Sequence, residues 1–213
     1  MLKLKDVTIK SGGQLILHEC NCRIASNSII VAKNDVDTEI IALTLAGFRP
    51  VNEGEIYIIE NTLSQNQKSN KKIFFVITEE FGELWKNYHL QEIHRLMKRK
   101  SQALLLCEKY NIYPHDSIDS LTNFQKLIYF VSIGRFLGRT IFIFDHPTKY
   151  LDYKELEEFN KFLNEEFMNE KYLIFTNRFD EIFTSSPGEI YQIDSTKPLI
   201  LKGGEKNADK QKA

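Results

Sequence analysis

Long hydrophobic runs are missing from this 213-residue sequence. The longest apolar-rich stretches, Ile40 to Phe48 and Leu127 to Leu137, fall short of the roughly 18–20 uninterrupted apolar residues that span a bilayer, and the second contains Arg135. The opening Met1-Leu-Lys-Leu-Lys-Asp has no apolar core of secretory-signal length. Cysteine is scarce. Cys20, Cys22 and Cys107 are too few and too oddly numbered for a disulfide framework, so a reducing cytoplasm is the expected setting. A surplus of either charge is absent too. Lys and Arg number 28 against 29 Asp and Glu, a formal net charge of −1. General affinity for nucleic acid needs excess positive charge to displace counterions, so no nucleic-acid partner is expected. No internal repeat interrupts the chain.

What is present is material for a core. Hydrophobic residues make up 42 % of the chain, enough to exclude disorder for its bulk. The aromatic residues at 74, 75, 142, 144, 159, 162 and 167 lie on strands or at helical spacing and read as core. Cys20 and Cys22, one residue apart, share a face if they lie in a strand. No second pair or nearby histidine completes a metal set, so packing is the expected role and no metal is expected. His18, His89, His94 and His115 lack metal spacing. His89 and His94, five apart on a helix, point to different faces and read as solvated. The basic run Arg95 to Lys100 reads as a solvated helical face, with an acidic partner loop or lipid headgroups as the alternative.

The order of elements gives the fold class. Leu2 to Ile9 alternates with period two, Ser11-Gly12-Gly13 is a turn before Leu15-Ile-Leu, and Ser28-Ile-Ile-Val-Ala is a buried-type strand. A helix is expected from about Asp37 to Ala46, stopped at Gly47, and Gly54 to Ile59 returns to strand. After a polar linker comes the strand Lys72 to Ile77, then a charged helical insert from about Glu80 to Lys109, and a loop from Asn111 to Asp119. A helix from about Asn123 to Leu137 leads into the strand Thr140 to Phe144. A second helix, Tyr153 to Met168, leads into the strand Tyr172 to Phe175, and two short strands fill Glu189 to Leu201. Strands alternating with helices indicate an α/β domain around a mainly parallel sheet, with an antiparallel β portion at the start. One domain over 1–202 is expected, with a helical subdomain at about 79–138 and a disordered tail at 203–213.

Several motifs in fixed order carry a resemblance. Leu45-Ala-Gly-Phe-Arg-Pro-Val-Asn-Glu-Gly-Glu-Ile resembles the stretch after the phosphate-binding loop of ABC transporter ATPases. Leu121-Thr-Asn-Phe-Gln resembles their Leu-Ser-Gly-Gly-Gln signature. Asp145-His-Pro-Thr, followed by Leu151-Asp152, is similar to their Walker B strand end and D-loop, and Leu173-Ile-Phe-Thr-Asn177 lies where the family has a strand ending in Thr-His. The resemblance runs from about residue 2 to 195 and implies the P-loop NTPase-like ABC ATPase fold.

Set against the family pattern, the phosphate loop is degenerate. Catalytic members need Gly-x-x-Gly-x-Gly-Lys-Ser/Thr: glycines let backbone N–H groups curl round phosphates, lysine reaches the β/γ oxygens, and the hydroxyl binds Mg²⁺. Here Ala32, Asp35 and Asp37 replace the glycines, Thr38 the lysine and Glu39 the hydroxyl, with Lys33 early in the loop. Asp35 or Asp37 is expected to cap the following helix. The adenine-stacking aromatic corresponds to Ser11, the Mg²⁺-sensing glutamine to Thr78, the general base to His146 and the switch histidine to Asn177, while Asp145 is retained. In the signature, Thr122 keeps a hydroxyl for a partner's γ-phosphate, whereas Phe124 replaces a glycine and is expected to crowd it.

The resemblance thus implies a pseudo-ATPase, a structural or coupling subunit at the cytoplasmic face of a membrane. Its implied partners are a permease and either a competent ATPase subunit or a second copy. No cofactor is expected. ATP and Mg²⁺ enter only under the alternative of a working, non-standard site using Lys33 and His146. A regulatory or immunity protein of a peptide-export system is the other alternative.

Overall fold

Two apolar faces and a ladder broken at Asp6 and Glu19 set the N-terminal architecture. In the computed structural model, residues 1–32, 35–58, 72–76, 90–97, 101–167, 170–177, 189–194 and 197–201 are described. Strand β1 (Leu2–Ser11) buries Leu2 and Leu4, then Val7 and Ile9. The change of phase falls at Asp6, whose φ of 51° inserts one residue into the ladder with β2 (Gln14–Ile24). Gly12 (φ 54°) and Gly13 (φ 82°) make the two-residue hairpin turn between them, a conformation that needs positive φ at both positions. Strand β4 (Glu53–Ile58) pairs antiparallel with the other edge of β1, giving a three-stranded sheet in the order β2-β1-β4. Strand β2 is longer than the apolar run 15–17 signals. A second left-handed residue, Glu19 (φ 42°), breaks its alternation while pairing continues to Ile24.

The second sheet is assembled from β3 (Ser28–Val31), β5 (Ile73–Val76), β6 (Ile141–Asp145), β7 (Lys171–Thr176), β8 (Ile190–Asp194) and β9 (Lys197–Leu201), in the order β5-β6-β7-β3-β8-β9. All its pairings are parallel except β8 with β9. Its central strands are continuous apolar runs because both faces are covered. Phe142, Phe144, Tyr172 and Ile174 belong to one core, and Ile141, Ile143, Leu173 and Phe175 to the other.

Helix α1 (Asp35–Leu45) covers the second core, and its C-terminus is closed by a Schellman motif. Gly47 (φ 79°) donates to Thr44 O at 3.0 Å and Phe48 to Leu43 O at 2.9 Å. The insert resolves into α2 (Leu90–Met97) and α3 (Ser101–Lys109), and the expected loop that follows contains a short 3₁₀ turn at Ile118–Ser120. Then come α4 (Asn123–Phe136), the one-turn α5 (Pro147–Tyr150) and α6 (Tyr153–Glu166), which ends two residues before the expected Met168. Residues 79–89, with His89, and the tail 203–213 lie outside the described residues.

One expectation is overturned here. His94 is not solvated but 4 % exposed. Leu90, His94 and Met97 recur at i, i+4 and i+7 and form the buried face of α2. The His94 ring stacks on Tyr129 of α4 at 5.9 Å, and its Nδ1 lies 2.9 Å from Leu90 O. His18 and His115 are exposed, as is Arg95 of the basic run, whose last three residues lie outside the described residues.

Candidate functional site

Parallel strands carry their ligand crevice at their C-terminal ends, and this edge gathers the motif residues. Strands β6, β7 and β3 are neighbours, so Asp145, Asn177 and Ala32 leave the sheet side by side. The backbone locks the arrangement: Ala32 N donates to Thr176 O at 3.0 Å and His146 N to Phe175 O at 2.9 Å. Behind them the Thr148 and Thr176 hydroxyls meet at 2.9 Å, both buried.

At the start of α1 the chemistry is acidic. The helix begins at Asp35, so residues 35 and 37 occupy its first turn rather than the capping position expected of them. Thr38, at the lysine position, is wholly buried, while Val36 is 62 % exposed and Glu39 is exposed. Carboxylates in a first turn favour the helix by about 0.3–1 kcal/mol each. The first turn thus carries acidic residues where a phosphate-binding helix starts with glycines, a lysine and a hydroxyl. An incoming phosphate about 4 Å from a carboxylate meets a repulsion of about 1 kcal/mol in water and about 4 kcal/mol at an effective dielectric near 20. Lys33 lies outside the described residues.

His146 stands where the general base is expected, in a left-handed conformation (φ 48°, ψ 48°) at the N-terminus of α5. A non-glycine residue there costs roughly 1–2 kcal/mol. Its amide bond to Phe175 and the donation from Lys149 N to His146 O at 3.0 Å hold it in place. The side chain is 5 % exposed, and Nε2 lies 3.9 Å from Oδ1 of Asp145, itself 12 % exposed. The imidazole faces its own chain.

The signature-like segment is closed in the same way. Thr122 Oγ1 accepts from Gln125 N at 3.2 Å, and Thr122 N donates to Gln125 Oε1 at 3.0 Å, a reciprocal capping box that engages the hydroxyl at home. Leu121 is buried. Asn123 Nδ2 donates to Tyr150 O at 2.8 Å. Phe124 does not project over the helix end. It is 4 % exposed, edge-on to Tyr110 at 5.6 Å and Phe162 at 6.2 Å. What covers the helix end is Glu155, a residue outside every motif quoted above. Its Oε1 accepts from Phe124 N at 3.2 Å and its Oε2 from Asp152 N at 3.2 Å, while Asp152 Oδ1 accepts from Glu155 N at 2.8 Å. The Asp-x-x-Glu spacing signals the local capping box; nothing local signals the contact 31 residues away. Glu155→Ala is expected to destabilise the fold by about 1–2 kcal/mol, the worth of a cap and a charge-assisted hydrogen bond, measured as a lower urea midpoint. An unchanged midpoint contradicts the bridging role.

No family model and no curated protein matches this sequence. Solved structures do. A nucleotide-free ATP-binding cassette from an ABC transporter superposes with a TM-score of 0.76 at 12 % identity, covering 96 % of this chain and 92 % of that one. The cbiO1 protein of Clostridium perfringens, described as part of the ABC transporter complex cbiONQ, gives 0.74 at 16 %, covering 95 % and 87 %. The cassette MJ0796, in a dimeric post-hydrolysis state with ADP and Pi, gives 0.66 at 20 %, covering 96 % and 100 %. The chain has the ATP-binding-cassette fold.

Within this cassette fold, a cavity of about 620 Å³ opens at the opposite end of β6, beside Gly138 and Thr140. Its charged lining is internally paired. Arg135 Nε donates to Glu170 Oε1 at 2.7 Å and Arg135 Nη2 to Glu170 Oε2 at 2.9 Å, while Lys109 Nζ donates to Glu166 Oε1 at 2.6 Å. These pairs pin α3, α4 and the end of α6 together, a structural duty. Among the described residues no helix is long and apolar enough to cross a membrane.

Proposed function

We propose that this chain is a non-catalytic ABC transporter subunit, one that keeps the shape of an ATP-binding subunit without its chemistry. It docks on a membrane permease from the cytoplasmic face and pairs with a competent ATPase subunit or with a second copy of itself. The observation that carries the reading is the first turn of α1: a buried threonine at the lysine position, flanked by acidic residues 35, 37 and 39. These residues do not fit Mg²⁺-ATP, which needs backbone amides, a cation and a hydroxyl there. The cassette fold supports the transporter setting. Among its structural neighbours, cbiO1 is described as part of a transporter complex and MJ0796 as dimeric. The helical subdomain over about 79–138 and the D-loop residues Leu151 and Asp152 are proposed to serve contact with partners.

The test is affinity purification of the tagged full chain from detergent-solubilised membranes. The expected result is co-purification of a polytopic membrane protein, with recovery unchanged by Asp145→Asn. Recovery of the chain alone, as a monomer or homodimer without any membrane protein, would overturn the reading in favour of a regulatory role. The rival working site needs His146 as base, and its burial against Asp145 counts against that.

A further inference from the structure

Helix α2 is held against the domain by three buried side chains, Leu90, His94 and Met97, and His94 is the polar one. Its Nδ1 lies 2.9 Å from Leu90 O, an oxygen that only accepts, so the proton of the neutral ring sits on Nδ1. That bond stays within α2 and ties the helix to nothing else. Nε2 is then a bare acceptor, buried and, among the described residues, without a hydrogen-bond partner. Tyr129 of α4, on which the ring stacks at 5.9 Å and 18°, is 1 % exposed, and among the described residues its hydroxyl also has no partner. Burial, with Cys107 as a lesser cause, pushes this phenol well above the ordinary tyrosine range, as expected of a hydroxyl cut off from water. A donor and an acceptor thus lie side by side and do not bond. The phenol proton and the imidazole lone pair each lie in the plane of their own ring, and two near-parallel rings in separate planes do not aim one at the other.

Other buried hydroxyls are served. Thr44 Oγ1 donates to Ile40 O at 2.7 Å, Ser132 Oγ donates to Ile128 O at 3.0 Å, and Thr148 meets Thr176 at 2.9 Å. The seam between α2 and α4 is built differently. An unmet buried polar group costs about as much as a buried aliphatic side chain gains, so the two stranded atoms offset the burial of Leu90 and Met97. Lifting the helix gives both atoms water. We propose that α2 is a strap that lifts from α4 and reseats while the parallel sheet and α4 stay folded, with the His94–Tyr129 seam setting the balance between the two positions. Lifted, it uncovers Leu90, His94, Met97 and the Tyr129 ring, a largely apolar surface that the seated helix hides. The device needs nothing from the nucleotide edge.

The test is hydrogen–deuterium exchange of the full chain read by mass spectrometry, with rates corrected for sequence. A lifted helix of eight residues does not hold its own hydrogen bonds in water, so its amides exchange by local opening. Amides 94–97 are expected to exchange at least a hundredfold faster than amides 127–134 of α4. The deciding variant is Tyr129→Phe, which removes one oxygen and keeps the ring. It is expected to slow α2 exchange at least tenfold, with a urea midpoint no lower than that of wild type. A buried tyrosine with a bonded hydroxyl behaves in the opposite way, since the change costs it a hydrogen bond. Exchange of α2 and α4 at one common rate overturns the proposal. So does a Tyr129→Phe protein whose α2 exchanges as fast as wild type, or whose midpoint falls, because either result means that the hydroxyl is satisfied where it lies.

Discussion

Calorimetric titration of the wild-type chain with Mg²⁺-ATP is expected to show no saturable binding up to about 1 mM, the concentration that corresponds to roughly −4 kcal/mol. The physical reason lies in the first turn of α1. Residues 37 and 39 bring carboxylates to that turn, and Thr38 is buried and carries no positive charge. Removing each carboxylate relieves about 1–4 kcal/mol of repulsion. The combined variant Asp35→Gly, Asp37→Gly, Thr38→Lys, Glu39→Ser, with Ala32→Gly, restores both glycine freedom and the cation. It is expected to bind nucleotide at least a hundredfold more tightly than wild type. Asp145→Asn alone is expected to change nothing. Micromolar wild-type affinity would refute the electrostatic reading at once, whatever the fate of the repaired variant.

The largest expected effect on stability comes from Phe162→Ala. Phe162 is fully buried on α6 and touches four other rings: Tyr110 at 5.6 Å, Phe167 at 5.4 Å, Phe124 at 6.2 Å and Phe159 at 6.5 Å. Removing it leaves a cavity where α3, α4 and α6 converge, at a cost of about 3–5 kcal/mol. Against a typical total of about 5–15 kcal/mol that is a large fraction. The urea midpoint should fall by more than 1 M for an m-value of about 1–3 kcal/mol/M. Phe162→Leu, which keeps most of the volume, should cost less than about 1.5 kcal/mol. A loss below about 1 kcal/mol for the alanine variant would show that the ring cluster is not the keystone suggested by its geometry.

The sequence made the α/β class legible because its strands are unusually plain. Ile141 to Phe144 and Tyr172 to Phe175 are unbroken apolar runs, which only a two-sided sheet buries. The stretches read as phosphate loop, signature and D-loop each fall at a strand end or a helix start. Contacts between distant segments were not legible. His94 looked like a surface residue because its polarity masked the i, i+4, i+7 pattern it completes. Phe124 read as an obstruction over the helix end, whereas its ring turns into the core and a carboxylate from α6 takes the amide. The long β2 was hidden by the polar residues His18, Glu19 and Asn21, which the bulge and the exposed face of the strand accommodate.

The acidic closure where Glu155 reaches the start of α4 has a consequence for the living cell. A protein whose helix ends wait for phosphate changes its rigidity with the supply of triphosphate, and so registers metabolic state. At α4 the helix end is already closed by the chain's own Glu155 carboxylate. Under the non-catalytic reading proposed above, the chain's contribution to an assembly is constant through feast and starvation, a fixed wedge rather than a fuel gauge.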